Sequence, residues 1–187
     1  MIIAQTKNLA DNVLTVRQNQ GFTLLELMVT LAVAAIVLTV AVPSFTNLIV
    51  RNSLTGEANE LISAFNLARN EAIKLNQNTR LCHSDNGVNC SAPGAAGWQG
   101  WLIADTGNRV IASGFFSANL RTTGTANTDV IQFTSNGLIR NNANGAPLGG
   151  TFTICSDSEQ VPQNARLMNF VSGGRVSVDA VRIEECV

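Results

Sequence analysis

The pattern of apolar and polar residues separates a polar start, an apolar stretch and a longer mixed remainder. Residues 1–21 contain no long apolar run. Residues 22–42 are apolar apart from threonines and Glu26, and a helix needs ~20 such residues to cross a bilayer. Lys7 and Arg17 precede the apolar stretch, which predicts a cytoplasmic start and a body on the other side of the membrane.

A helical repeat continues beyond the apolar stretch. Polar residues such as Glu57 and Glu60 fall between apolar residues that recur at steps of four and three, namely Leu54, Ala58, Leu61, Phe65, Ala68, Ala72 and Leu75. The pattern predicts one long helix from Phe22 to about Gln77, with a kink near Pro43, which lacks a backbone N–H. Such a stripe could form a coiled-coil seam, but it has only three heptads, so we favour packing on a β-sheet of the same chain.

After Asn78 the pattern changes to short alternating segments separated by turn residues. Asn-Gly pairs at 86–87, 136–137 and 144–145 are typical of hairpins and loops, and residues 141–150 have a loop composition. The predicted strands are Arg80–His83, Gly100–Asp105, Arg109–Phe115, Val130–Thr134, Gly137–Arg140, Thr151–Cys155, Ala165–Phe170 and Arg175–Val178. Several strands after one helix predict an α+β fold, in which residues 78–187 form an antiparallel sheet or small sandwich packed on the helix.

The charge and cysteine content indicate the cellular compartment. Only 13% of the residues are charged and the formal net charge is -1, which does not indicate a general nucleic-acid binder. Four cysteines follow the apolar stretch without a Cys-x-x-Cys pair, so disulfides in an oxidising compartment are favoured over a zinc site.

The residue types that catalysis needs are scarce. His83 is the single histidine and the chain has no tyrosine, so we interpret His83 as a strand-end residue and expect no enzyme activity. Residues 85–89 resemble a calcium loop only faintly, and we expect neither metal nor cofactor. Trp98 and Trp101 are three residues apart, which on a strand places them on opposite faces, so at most one is expected in the core.

The glutamate within the apolar stretch belongs to a recognisable motif. Gly21-Phe22-Thr23-Leu24-Leu25-Glu26 resembles the processing signal of type IV pilins and type II secretion pseudopilins. The resemblance implies that a prepilin peptidase removes residues 1–21, cutting between Gly21 and Phe22, and that the new N-terminus of Phe22 is methylated. It also implies that Glu26 pairs with the N-terminal amine of a neighbouring subunit and that Pro43 occupies the usual kink position. A partner is needed because a carboxylate within a membrane span costs roughly 2.5–3.5 kcal/mol.

The remainder of the chain resembles one branch of these filament proteins. The segments 97–111, 130–139, 152–158 and 165–178 resemble successive blocks of the FimT/GspH (FimU-like) group of minor pilins and pseudopilins. The resemblance implies a structural subunit at or near the tip of a type IV pilus, held first in the inner membrane with its head in the periplasm and later in a filament with major and minor pilins. The alternatives are a pseudopilin of a type II secretion system and a pilin that binds double-stranded DNA during uptake.

The DNA alternative depends on arginines near the C-terminus. DNA-binding members of the group carry a Gly-Arg-x-Arg turn, and here Gly174-Arg175-Val176-Ser177 keeps only the first arginine. Arg166 and Arg182 are the nearby candidates for further phosphate contacts, whereas Glu184 and Glu185 weaken the patch. The cysteines pair most simply as Cys82–Cys90 and Cys155–Cys186, although four cysteines permit three pairings and the sequence does not choose among them.

Overall fold

The computed structural model describes residues 21–95, 97–125, 128–158 and 161–186, and the predicted leader lies outside this range except for Gly21. One helix, α1, spans Leu24–Leu75. It begins after Thr23, whose hydroxyl oxygen accepts a hydrogen bond from the Glu26 amide at 3.2 Å. It ends at Leu75, because the next residue, Asn76, has a φ of 49° in the left-handed region, and the two hydrogen bonds of a Schellman motif close the last turn.

The described residues divide into two units between Val40 and Ala41. In the first unit, every side chain described from Gly21 to Thr39 is exposed. This part of α1 is long and apolar enough to cross a membrane, judged by its length and composition. The helix continues through Pro43, which donates no backbone hydrogen bond, and the kink there stays a prediction.

The second unit contains the C-terminal part of α1 and nine strands, counted among the described residues. The strands are β1 (Thr79–His83), β2 (Gly100–Asp105), β3 (Val110–Phe115), β4 (Arg121–Gly124), β5 (Val130–Phe133), β6 (Ile139–Asn141), β7 (Gly150–Cys155), β8 (Ala165–Phe170) and β9 (Val176–Val181). They form a five-stranded sheet in the order β3-β2-β1-β5-β6 and a four-stranded sheet in the order β4-β7-β8-β9. All pairings are antiparallel, so the α+β prediction is confirmed.

The helical stripe packs against both sheets, as the sequence predicts. Its members are buried, except that Leu75 at the helix end is half-buried. Phe65 lies where the helix meets the sheets, with ring centroids 5.6 Å from Phe133 of β5, 6.0 Å from Phe152 of β7 and 5.1 Å from Phe170 of β8. One core therefore contains residues of the helix and of both sheets.

The structure differs from the sequence analysis at three points. Both tryptophans are buried, because Trp98 precedes β2 and forms an isolated bridge to Thr122, so strand alternation does not set its direction. Glu57 falls between the apolar positions of the helix, yet it is buried, because it accepts hydrogen bonds from the head. Strand β4 has no counterpart in the prediction, since its sequence Arg-Thr-Thr-Gly lacks apolar alternation.

Candidate functional site

The N-terminal motif lies at the exposed start of α1. Gly21, Phe22 and Thr23 precede the first helical residue, and 82% of Phe22 is exposed. The peptide bond between Gly21 and Phe22 is therefore in a non-helical, accessible segment, which is the form of chain that a peptidase can bind.

Glu26 is the only charged residue in the exposed apolar part of α1. It stands in the first turn of the helix, three residues after the capping Thr23, where the helix dipole favours negative charge. Its side chain is exposed, and none of the ion pairs among the described residues includes it. The residues from 27 to 50 contain no charged residue at all, so Glu26 is isolated along the helix.

Exposed apolar side chains surround this glutamate along the helix. The large ones include Leu24, Leu25, Leu27, Met28, Val29, Leu31, Val33, Ile36, Val37, Leu38, Val42, Phe45, Leu48 and Ile49. A helix that is apolar on all sides requires either lipid or other helices around it. The arrangement can therefore anchor the chain in a bilayer or pack within a bundle of like helices.

Two carboxylates of α1 tie the helix to the head. Glu57 accepts hydrogen bonds from the Thr122 hydroxyl at 2.9 Å and the Ser117 amide at 3.3 Å, and Glu60 accepts one from the Trp101 indole at 3.0 Å. Burial raises the pKa of Glu57, and the nearby Glu60 adds to this, while the two hydrogen bonds oppose it. The helical register alone gives no indication of these contacts.

Two disulfides close the head at opposite ends of its sequence. They join Cys82 with Cys90 and Cys155 with Cys186, the pairs that the sequence makes simplest. The second holds the C-terminal tail against β7, and Arg121 donates a 2.8 Å hydrogen bond to the Cys186 carbonyl oxygen. The tail is thus fastened covalently and by a charged donor.

The loop closed by the first disulfide contains a polar cluster around the buried His83. The Ser91 hydroxyl lies 3.1 Å from His83 Nδ1 and donates to Asp85 Oδ2 at 2.8 Å, while His83 Nε2 lies 3.2 Å from Asp85 Oδ1. The aspartate thus accepts a hydrogen bond from the serine and lies beside the histidine, which is 0% exposed and whose Nε2 has no hydrogen-bond partner among the described residues. These contacts hold the loop in place and leave His83 at the end of β1, as interpreted from the sequence.

The candidate arginines do not form one patch. Arg166 is 7% exposed and its guanidinium is used inside the protein, which corrects its assignment as a phosphate contact. Arg175 and Arg182 are exposed, but they flank the two ends of the six-residue strand β9. At 3.3 Å per residue their backbones are about 23 Å apart. A cooperative Gly-Arg-x-Arg site is therefore absent from the described residues of this strand.

The fold and the N-terminal motif define a class of protein, the minor pilins and pseudopilins. The family described as type II transport protein GspH matches residues 57–173, and the prokaryotic N-terminal methylation motif matches residues 16–42. The first match covers more than half of the chain, and the chain belongs to the GspH family.

The solved structure of a similar protein supports the fold. The type IV minor pilin FimU of Pseudomonas aeruginosa is 21% identical, with a TM-score of 0.55, over 73% of this chain and 97% of that one. The minor pseudopilin EpsH of the Vibrio cholerae type 2 secretion system is 11% identical, with a TM-score of 0.48, over 68% of this chain and 97% of that one. No curated protein sequence matches this chain.

Proposed function

We propose that this protein is a minor pilin of a type IV pilus, processed between Gly21 and Phe22 and assembled through its N-terminal helix at or near the filament tip. The observation that carries the proposal is the fully exposed apolar part of α1 with Glu26 as its single charge. The methylation motif at residues 16–42 supports processing at this point. The alternative within the family is a pseudopilin of a type II secretion system.

The charge of Glu26 would set the axial position of the helix in the proposed assembly. In a membrane or helix bundle an isolated carboxylate is unfavourable, and a nearby cation offsets that cost. Cleavage before Phe22 creates a new amine four residues from Glu26, and the same amine exists on every processed neighbour. Assembly would pair Glu26 of one subunit with the amine of another, so that the helix binds best at the correct axial position.

Processing is tested by the intact mass of the protein from a strain that contains the prepilin peptidase. We expect the mass to fall by that of residues 1–21 and to rise by one methyl group. An unchanged mass would contradict the proposed cut.

Assembly is tested by the substitution Glu26→Gln, which removes the charge and keeps the shape. We expect normal cleavage and membrane insertion, with strong loss of the subunit from the sheared filament fraction. Glu184→Gln, in the exposed C-terminal tail, is the matched control and should assemble normally. Equal incorporation of the two variants would contradict the role of Glu26.

A deletion strain separates the two filament systems. We expect fewer surface pili and normal export of secreted enzymes, with restoration by the intact gene. Normal piliation with secreted enzymes retained in the periplasm would instead favour the pseudopilin alternative. Piliation and enzyme export can both be measured in the same deletion strain.

A further inference from the structure

The buried His83 stands among groups whose hydrogen-bonding roles fix the position of one ring hydrogen. Its Nδ1 lies 3.1 Å from the Ser91 carbonyl oxygen, which can only accept a hydrogen bond. Nδ1 also lies 3.1 Å from the Ser91 hydroxyl oxygen, whose single hydrogen is donated to Asp85 Oδ2 at 2.8 Å. Both neighbours therefore act as acceptors toward the ring, and Nδ1 carries a hydrogen.

The other ring nitrogen, Nε2, faces a carboxylate. It lies 3.2 Å from Asp85 Oδ1 and has no hydrogen-bond partner among the described residues. With a hydrogen already on Nδ1, a neutral ring would turn the lone pair of Nε2 toward a negative oxygen. A proton on Nε2 would convert this contact into an ion pair of imidazolium and carboxylate. The Asp85 side chain is 56% exposed, so water weakens this pair without removing it.

The other acidic groups near the ring are held elsewhere. Asp129, just before β5, meets His83 through its carbonyl oxygen, which accepts the His83 amide hydrogen bond at 3.4 Å, and its side chain is exposed. Trp101, the cross-strand partner of His83 on β2, donates its indole hydrogen to Glu60 of α1 at 3.0 Å. Among the described residues, the ion pair with Asp85 is the only one that includes His83.

The contacts of His83 fasten the loop that the first disulfide closes. Asp85 lies near the start of this loop, and Ser91 follows its second cysteine. The Ser91 amide donates a 3.0 Å hydrogen bond to the His83 carbonyl oxygen. Asp85 also lines a cavity of about 380 Å³ together with Trp98 and Phe115. An ion pair between His83 and Asp85 would therefore hold the loop on β1 and fix one wall of the cavity.

We propose that His83 and Asp85 form a proton-dependent latch on the loop of residues 84–91. In acid the imidazolium binds the carboxylate, and the loop is held closed. As pH rises, Nε2 gives its proton to water while Nδ1 keeps its hydrogen, the ion pair is lost, and the loop opens more often. A head outside the inner membrane, as proposed above, would meet the pH of the surroundings, whereas the latch itself needs only the folded head.

The first test is the protonation of the ring, measured by long-range hydrogen–nitrogen NMR on the full-length protein in detergent micelles. His83 is the single histidine, so isotope-labelled histidine reports one ring, provided that purification uses a tag without histidine. At about pH 5 we expect hydrogens on both ring nitrogens. At about pH 8 we expect the hydrogen on Nδ1 alone, opposite to the Nε2–H form that free histidine prefers.

The second test is the opening of the loop, measured as hydrogen-exchange protection of the Ser91 amide in the same sample. Protection is taken relative to the intrinsic exchange rate at each pH, which removes the direct effect of hydroxide. We expect it to fall about fivefold from acid to alkaline pH, because a partly exposed ion pair is lost. Asp85→Asn should abolish this fall and keep the wild-type protection in alkali, because a carboxamide can donate to the neutral ring. Asp157→Asn, at an exposed position after β7, is the matched control and should keep the fall.

Several results would overturn the latch. A neutral ring with its hydrogen on Nε2 would show that Ser91 does not fix the hydrogen on Nδ1. A ring that stays neutral in acid, or protection that does not change with pH, would show that Asp85 does not hold a charged ring. Loss of protection in Asp85→Asn at both pH values would limit Asp85 to its bond with Ser91, and loss of the fall in Asp157→Asn as well would make the effect unspecific. None of these results bears on filament assembly, which Glu26→Gln tests.

Discussion

Replacing Phe65 with alanine removes the ring that joins the helix to both sheets. The ring is 2% exposed and makes aromatic contacts with one residue of the five-stranded sheet and two of the four-stranded sheet. The neighbouring side chains come from three separate elements, so they can collapse into the space only in part.

The expected cost follows from this burial. Loss of a buried phenylalanine side chain typically costs about 3–5 kcal/mol of unfolding free energy. Phe65→Leu keeps most of the apolar volume and loses three ring pairs, each worth about 0.5–1.5 kcal/mol, so we expect a loss of about 1.5–4.5 kcal/mol that stays below the loss in Phe65→Ala. Phe115→Ala is the control, because Phe115 is 57% exposed and its loss should cost about 1 kcal/mol or less.

Urea unfolding of the full-length protein in detergent measures these differences. Trp98 and Trp101 are both buried and report unfolding of the head by fluorescence. We expect the order wild type, Phe115→Ala, Phe65→Leu, Phe65→Ala in decreasing stability, with unchanged slopes against urea. If Phe65→Ala costs no more than Phe115→Ala, the assignment of Phe65 to the junction of the helix and the two sheets is refuted.

Three further predictions use the same unfolding assay. Because the pKa of Glu57 is raised, the folded protein binds a proton there more tightly than the unfolded chain, so the unfolding free energy falls as pH rises from the ordinary glutamate pKa through the raised one. Glu57→Gln should reduce this fall between pH 4 and pH 7. An unchanged fall would contradict the role of Glu57. Cys186→Ser removes the disulfide with a sequence separation of 31 and should lower the unfolding free energy by about 3–4 kcal/mol. Cys90→Ser removes the disulfide with a separation of 8 and should lower it by less. Equal losses would argue against the loop-entropy explanation. Gly97→Ala places a Cβ 2.3 Å from the Thr122 carbonyl oxygen at a φ of 79°, so it should destabilise the head strongly. Gly145→Ala is the control, because it has a φ of 70° with open space around it and should cost only the backbone strain of about 1 kcal/mol. Similar losses in the two variants would refute the clash.

The elements with regular periodicity could be predicted from the sequence. The stripe from Leu54 to Ala72 alternates steps of four and three and has a single buried face, and strands β2 and β8 have the predicted bounds. Asn-Gly pairs also mark real turns, since Gly87, Gly137 and Gly145 have positive φ. Each of these patterns involves residues that are close together in sequence, so it can be recognised without knowing the fold.

The features that the sequence did not predict share a different cause. Glu57 is buried because Thr122 and the Ser117 amide reach it from a distant part of the chain, and β4 exists because β7 offers it an edge. Arg166 stands near the other C-terminal arginines in sequence, yet its guanidinium turns inward to carbonyl oxygens and Thr55. Such contacts form between residues that are far apart in sequence, so charge patterning alone could not separate a buried arginine from a surface patch.

The charge pattern of α1 explains why assembly is expected to depend on one residue. No charged residue follows Glu26 until Arg51, and none of the ion pairs among the described residues includes Glu26. In a membrane or a helix bundle its counter-charge would come from another chain, and the amine of a processed subunit would supply it. On this reasoning, Glu26→Gln should block assembly without preventing processing, and normal assembly of that variant would contradict it.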